Sequence, residues 1–213
     1  MDHPLKDRNV KQLIIACIGL ATLIPVNADE NKFSISLGEK SVRTEFEYDM
    51  DFGDIAKVTS TASGIFSNLS YYQSSSLSYA IELVVFTNAH SAGIYSNNSQ
   101  VTTGYEVIVE PNQYLSLQAQ YTFLPSKIVR PIVIAGISYL KADVTGEVIT
   151  ETNTSRTVIE SATKSDSSMG FVYGVGLDIN FYKNVSFVLD YRIRPDIADN
   201  SVDEINGSLK YQF

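Results

Sequence analysis

Residues Met169–Tyr182, which read MGFVYGVGLDINFY, decide the fold. The odd positions are Met169, Phe171, Tyr173, Val175, Leu177, Ile179 and Phe181, and the even ones are Gly170, Val172, Gly174, Gly176, Asp178, Asn180 and Tyr182. Successive side chains of a strand point to opposite faces, so this strand has one greasy face and one that is mostly small or polar. Tyr182-Lys183-Asn184 then supplies a tight turn, and Val185, Phe187, Leu189, Tyr191 and Ile193 alternate with Ser186, Val188, Asp190, Arg192 and Arg194. The final segment repeats the pattern, with Ile205, Gly207, Leu209, Tyr211 and Phe213 opposite Glu204, Asn206, Ser208, Lys210 and Gln212. Upstream, Leu115, Leu117, Ala119, Tyr121 and Phe123 oppose Ser116, Gln118, Gln120 and Thr122, and Leu77, Tyr79, Ile81, Leu83 and Val85 oppose Ser78, Ala80, Glu82, Val84 and Phe86. Residues 101–110 and 130–142 are also strand-like, and the run Ile132-Val133-Ile134 leaves the parity of the second open.

Such alternation suits a soluble antiparallel sandwich or lipocalin-like barrel with a dry core, or a transmembrane barrel whose apolar face meets lipid. Three features select the second. Charges at Glu82, Asp178, Asp190, Arg192 and Lys210 recur mid-strand on the polar face, as in a narrow lumen that holds paired charges. Segments of about ten residues extend roughly 33 Å, which a tilt of about 45° reduces to the hydrocarbon height of a bilayer. Aromatic residues gather at segment ends, as in Tyr121/Phe123, Phe181/Tyr182 and Tyr211/Phe213, where interfacial girdles sit.

Composition agrees. The 213 residues are 44% hydrophobic and 11% aromatic, too apolar for a disordered chain. A net charge of −8 argues against nucleic acid as a partner. No apolar run reaches 18 residues, which excludes a helical membrane protein. Residues 1–28 read as a secretory signal peptide: Lys6, Arg8 and Lys11 precede the apolar run Leu13–Val26, which closes on Val26-Asn27-Ala28. Lipidation at Cys17 is the rival reading, but the apolar run continues past it. Cleavage after Ala28 takes three of the 16 basic and two of the 24 acidic residues, leaving −9, and removes the single cysteine. Stability of residues 29–213 must then come from closed backbone pairing and packing.

The ending Leu209-Lys210-Tyr211-Gln212-Phe213, the hairpin from Gly174-Val175-Gly176-Leu177 through Tyr191, and Arg130-Pro131 leading into Ala135-Gly136-Ile137-Ser138-Tyr139 carry a resemblance. The chain resembles the small Gram-negative outer-membrane β-barrel superfamily, which includes the transmembrane domain of outer membrane protein A and the opacity proteins. The resemblance is detailed from about residue 114 onward and rests on pattern alone before that. It implies an all-β, antiparallel up-and-down transmembrane barrel in the cell outer membrane, in contact with membrane lipid and lipopolysaccharide. It also implies that Tyr211 and Phe213 form a terminal signal read by the barrel-assembly machinery after escort by periplasmic chaperones. The roles it implies run from adhesion to porin-like solute passage.

Nine extended runs can be marked: 33–47, 54–66, 77–87, 101–110, 114–123, 130–142, 169–182, 185–194 and 204–213. A barrel with both ends on one side of the membrane needs an even number. Residues 54–66 have the weakest greasy face, so they are assigned to a loop, giving eight strands, with ten as the alternative. Surface loops are then expected at about 48–76, 143–168 and 195–203, the second as a hairpin with its tip near Asn153-Thr154. In the first strand Phe33, Ile35 and Leu37 are odd while Val42, Phe46 and Tyr48 are even, which predicts a bulge near Gly38-Glu39.

Candidate chemistry is sparse. His90 and Ser91 are the only His–Ser pair of the exported chain, and barrel enzymes that deacylate lipid A use such a pair with an acid, for which Glu82 or Glu106 are available. The lipid A 3-O-deacylase family spaces its His and Ser two apart, whereas these are adjacent and would point oppositely in a strand. A polar strand end or turn is the plainer account. A lone histidine without cysteine cannot assemble a transition-metal site, and no cofactor is expected. Glu45, Glu47, Asp49, Asp51 and Asp54 read as a solvated acidic rim, their spacing matching no calcium loop. Arg43, Glu82, Glu106, Asp178, Asp190, Arg192, Arg194 and Lys210 are expected in the lumen, filling it as ion pairs or lining a narrow pore. Phe171, Tyr173, Val175, Leu177, Phe187, Leu189, Leu209, Tyr211 and Phe213 are expected to face lipid. Leu189→Arg should therefore damage the barrel, and Ser186→Arg should be milder. The expected function is a non-enzymatic barrel that presents surface loops for adhesion or envelope integrity, its extracellular partner unidentified. The alternatives are a narrow passive pore, a lipid A-modifying enzyme, or a soluble lipocalin-like binder.

Overall fold

The computed structural model describes residues 32–49, 55–90, 92–98, 101–152, 155–197 and 200–213. These residues form strands joined by turns: β1 (Phe33–Asp49), β2 (Ile55–Tyr72), β3 (Leu77–His90), β4 (Ala92–Asn98), β5 (Val101–Thr122), β6 (Val129–Thr152), β7 (Ser155–Tyr182), β8 (Val185–Ile197) and β9 (Asn200–Gln212). Every pairing is antiparallel, each strand is bonded to its sequence neighbours except that β3 and β4 do not pair with each other, and β1 closes on β9. β3 and β4 both pair with β5, β3 with Tyr114–Tyr121 and β4 with Val101–Val107, so the two occupy one position in an eight-membered ring. Closure leaves no open edge around the ring, the condition for a sheet to sit in hydrocarbon.

The count of eight is reached differently from the sequence expectation. Residues 55–72, assigned to a loop spanning 48–76, are the full-length strand β2, paired along its whole length with β1. Runs 101–110 and 114–123 are instead one strand, β5, carried across Glu110-Pro111 by a register shift between Pro111 and Gln113. The weak alternation of β2 misled because its outward residues include Thr59, Thr61 and Ser63, small polar groups that are partly covered. The expected bulge at Gly38-Glu39 is also absent: β1 keeps unbroken register with both β2 and β9 through that point. Val42 is even because it faces inward, into a buried cluster with Ala62, Phe66, Val84, Phe86, Tyr114, Leu140 and Val202. The open parity of 130–142 resolves the same way, Ile132 and Ile134 being buried with Val188 while Val133, Ile137 and Tyr139 are exposed.

Two ends of the barrel differ. One carries short turns at 73–76, 123–128 and 183–184, the last with Lys183 at a positive φ of 33°. At the other the wall is uneven. The β6–β7 hairpin continues as a paired ladder to Thr152↔Ser155, the tip expected near Asn153-Thr154 lying outside the described residues, and β5 follows it to Thr102↔Glu151. By contrast β8 and β9 stop at Ile197↔Asn200, so the loop expected at 195–203 is mostly strand. β7 pairs with β8 only over Tyr173–Tyr182, so among the described residues the backbone of Ser155–Val172 pairs with β6 alone.

Candidate functional site

The most built-up chemistry in the molecule is its interior. Glu82, on β3, is fully buried and takes two cations: Lys40 Nζ of β1 donates to Oε1 at 2.7 Å and Arg192 Nη1 of β8 to Oε2 at 2.8 Å. Lys40 also donates to Glu204 Oε2 of β9 at 2.7 Å, and its ammonium lies 4.1 Å from the centroid of the Tyr114 ring. The Tyr114 hydroxyl donates to Glu204 Oε2 at 3.1 Å. Arg192 clamps Asp190 through Nε at 2.6 Å and Nη2 at 3.1 Å, and Asn206 donates to the same carboxylate at 2.7 Å. One network thus ties β1, β3, β5, β8 and β9 together across the lumen. Its charges are matched: Lys40, Arg192 and the nearby Arg194 against Glu82, Asp190 and Glu204.

Small side chains on β7 make room for it. Gly174 and Gly176 face Arg192 and Asp190 in register. A Cβ on Gly174 would stand 2.7 Å from Arg192 Cγ, and one on Gly176 would stand 2.6 Å from Asp190 Cβ. The glycines that interrupt the quoted stretch therefore let the β8 backbone at Tyr191 and Leu189, and the stems of Arg192 and Asp190, come close to β7. Toward the uneven end the network is capped by the Val42 cluster, with Val42 two residues beyond Lys40 and Val202 two before Glu204. On its other side lie Ile132, Ile134 and Val188. Charged hydrogen bonds between apolar layers fill the bore, as an eight-stranded ring requires.

Of the expected lumen residues, Glu82, Asp178, Asp190, Arg192 and Lys210 are buried on the inner face within the barrel proper, and Arg194 is buried and donates to the Ser168 carbonyl at 3.0 Å. Glu106 is buried farther up the wall, where it pairs with Arg156. Arg43 is a correction: it is exposed on the outer face and lies 3.8 Å from Glu45. Sequence reasoning missed Lys40, Glu204 and Arg130 as lumen groups. Lys40 was hidden by the supposed bulge, which would have turned it outward, and the unbroken even parity of Ser34 to Thr44 is the signal that finds it.

Phe171, Tyr173, Val175, Leu177, Phe187, Leu189, Leu209 and Tyr211 are all exposed on the outer face, from 39% for Phe187 to 73% for Phe171. Phe213 is partly covered, its ring stacked 6.1 Å from that of Tyr211. Ser186, by contrast, is buried and accepts from Arg130 Nη2 at 3.4 Å, so an arginine there would add a third cation beside Arg130 and Lys210. That substitution cannot be the mild one.

The enzymatic constellation is not assembled by the described residues. His90 closes β3 opposite Thr61, and Ser91 lies outside the described residues. Glu82 is eight residues away, roughly 26 Å along an extended strand, with both oxygens engaged. Glu106 is held by Arg156. Of the acidic rim, Asp51 and Asp54 lie outside the described residues, as do residues 1–31 with the expected signal peptide. No group of three potential metal ligands occurs among the described residues.

Comparison with known proteins places this geometry. The family model described as outer membrane protein beta-barrel domain matches residues 14–213. Among solved structures, the outer membrane protein OprG of Pseudomonas aeruginosa superposes with a TM-score of 0.52 at 13% identity, over 85% of this chain and 95% of that one. The attachment invasion locus protein Ail of Yersinia pestis gives 0.48 at 18% identity, over 86% and 99%. Neisserial surface protein A gives 0.47 at 16% identity, over 85% and 97%. No curated protein sequence matches the chain.

Proposed function

Because the chain belongs to the outer membrane protein β-barrel family, and so to the Gram-negative outer membrane, we propose that it is a closed, non-enzymatic barrel whose wall holds up a surface for contact outside the cell. The carrying observation is the backbone edge of β7 from Arg156 to Asp166, which pairs with β6 alone among the described strands and is raised above the rim set by β8 and β9. An unpaired strand edge offers a row of N–H and C=O groups that an extended segment of another chain can join. The edge carries Arg156, Thr157, Glu160, Ser161, Thr163, Lys164, Ser165 and Asp166, polar side chains that keep it soluble while unjoined. The filled lumen supports the same reading, since Lys40, Glu82, Arg192 and Glu204 occupy the bore that a conduit would need open.

In this reading the uneven end is extracellular and the short-turn end periplasmic. The exposed Phe171, Tyr173, Val175, Leu177, Phe187, Leu189, Leu209 and Tyr211 meet acyl chains of phospholipid and lipopolysaccharide. Tyr211 and Phe213 serve as the signal for the barrel-assembly machinery, reached with periplasmic chaperones. The test is twofold. Intact cells bearing Ala162→Cys should react with a membrane-impermeant maleimide, and purified protein in planar bilayers should give no discrete conductance steps. Discrete steps, or labelling only after the outer membrane is breached, would overturn the proposal.

A further inference from the structure

The charges of the lumen balance at mid-barrel and fail to balance at the short-turn end. There Arg130 of β6 and Lys210 of β9 share one carboxylate, Asp178 of β7: Arg130 Nη2 donates to Oδ1 at 2.6 Å and Lys210 Nζ to Oδ2. The three side chains are 12%, 6% and 1% exposed. Two cations against one carboxylate leave a buried excess of +1, a costly state unless an anion completes it. Arg130 Nε, moreover, is buried without a hydrogen-bond partner. Beside these groups a cavity of about 550 Å³ opens between the turns, lined by Arg130, Lys210, Tyr72, Gln73, Ser74 and Thr122 among others. That is the size of an ordinary small-molecule site. Its walls combine a guanidinium, an ammonium, hydroxyls and amides able to donate to oxygen, with the Asp178 carboxylate as the acidic group among them, already engaged by Arg130 and Lys210.

We propose that this cavity is a binding site for a small phosphate-class oxyanion. Arg130 supplies the planar fork that matches two oxygens of a phosphate, Lys210 supplies a point charge, and the surrounding hydroxyls take the remaining lone pairs. Asp178 keeps the two cations in place, and its single charge leaves the site attractive to an anion. The apolar layer of Ile132, Ile134 and Val188 closes it from the central network, so the ligand enters and leaves by the short-turn mouth. The site is independent of the β7 edge and of what that edge contacts.

The test is a titration of the full-length barrel, folded in a maltoside detergent at low chloride, with inorganic phosphate, followed by amide NMR shifts. The expected result is a saturable response confined to residues around the short-turn mouth. Arg130→Gln and Lys210→Gln should each weaken binding by roughly tenfold, the scale of one charged hydrogen bond, and Arg156→Gln at the far end should leave it unchanged. Ser186→Asp, which places the missing negative charge beside Arg130, should abolish the response in a protein that still gives a folded spectrum. Repeating the titration in phosphatidylcholine nanodiscs with and without phosphatidic acid separates the sources: competition by the lipid identifies a headgroup, and its absence identifies a soluble phosphate ester. A non-saturating response, one spread equally over both ends of the barrel, or wild-type binding by folded Ser186→Asp would overturn the proposal.

Discussion

Replacing Glu82 with glutamine removes one charge and keeps the shape, so its cost reads the central network directly. In the folded barrel Glu82 is inaccessible and accepts from two cations at 2.7 and 2.8 Å. The substitution leaves Lys40, Arg192 and Arg194 facing only Asp190 and Glu204, a buried excess of one cation. Two charged hydrogen bonds at about 1.5–3 kcal/mol each, and the general cost of breaking a buried pair, agree on a loss of about 3–5 kcal/mol. Lys40→Met should cost about the same by the opposite imbalance, leaving Glu82 with Arg192 alone and Glu204 with the Tyr114 hydroxyl alone. The double variant restores two cations to two carboxylates, so it should be less damaging than the sum of the singles by about 2–3 kcal/mol. Urea unfolding of the refolded protein in lipid vesicles, for wild type, both singles and the double, gives the cycle. A Glu82→Gln loss below about 1 kcal/mol, or strict additivity of the two changes, would refute the claim that charge matching at mid-lumen holds the wall together.

Three further outcomes follow from the same geometry. Leu189→Arg places a cation on the outer face at mid-strand and should cost about 2–4 kcal/mol, and Ser186→Arg should be at least as harmful because it crowds Arg130 and Lys210; vesicle unfolding of the pair reverses the ranking read from sequence if so. Gly176→Ala should destabilise by about 1–3 kcal/mol, since its methyl meets the Asp190 Cβ across the ladder, while Gly207→Ala, whose methyl finds nothing nearer than Phe187 Cζ at 3.8 Å, should be near neutral in the same assay. Asp143, on β6 above Tyr139, is held below the usual carboxylate range by hydrogen bonds from Ser165 and Asn112. A lowered folded pKa gives stability that is present above the unfolded value of about 4 and is lost as pH falls through the folded one. Amide protection factors of the β6–β7 hairpin, taken relative to the intrinsic exchange rate at each pH, should therefore fall on acidification below about pH 4 in wild type, and the Asp143→Asn variant should show no such step.

The sequence was most legible where alternation is uninterrupted and hydrophobicity contrasts strongly. From Phe171 to Leu177 and from Ser186 to Arg192 the alternation of exposed and covered residues follows the sequence pattern, because large apolar groups outside oppose charges and glycines inside; Tyr182, on the polar face by parity, is exposed beyond the register shift at the turn. Legibility failed where the contrast fades. β2 carries Thr59, Thr61 and Ser63 at outward positions opposite the inward Ala62 and Phe66, so there its period is real while its polarity contrast is lost. The inward Val42 was taken for an outward one for the same reason: a filled lumen has apolar layers of its own, and a greasy side chain then says nothing about which way it points. Partners in the central network lie up to 164 residues apart in the chain, so Lys40 and Glu204 show no local signature of pairing. The charge surplus near Asp178 likewise exists only once β6, β7 and β9 are set side by side.

A rim that stands high along β5, β6 and β7 and low along β8 and β9 gives the molecule a heading as well as a depth. Turning such a barrel about its own axis changes what a neighbour meets, from a bare parapet to a tall flank. Crowding, lateral tethering or clustering that fixes this rotation would then decide how many molecules in a patch of envelope look the same way, a degree of freedom that a cylinder of even height does not possess.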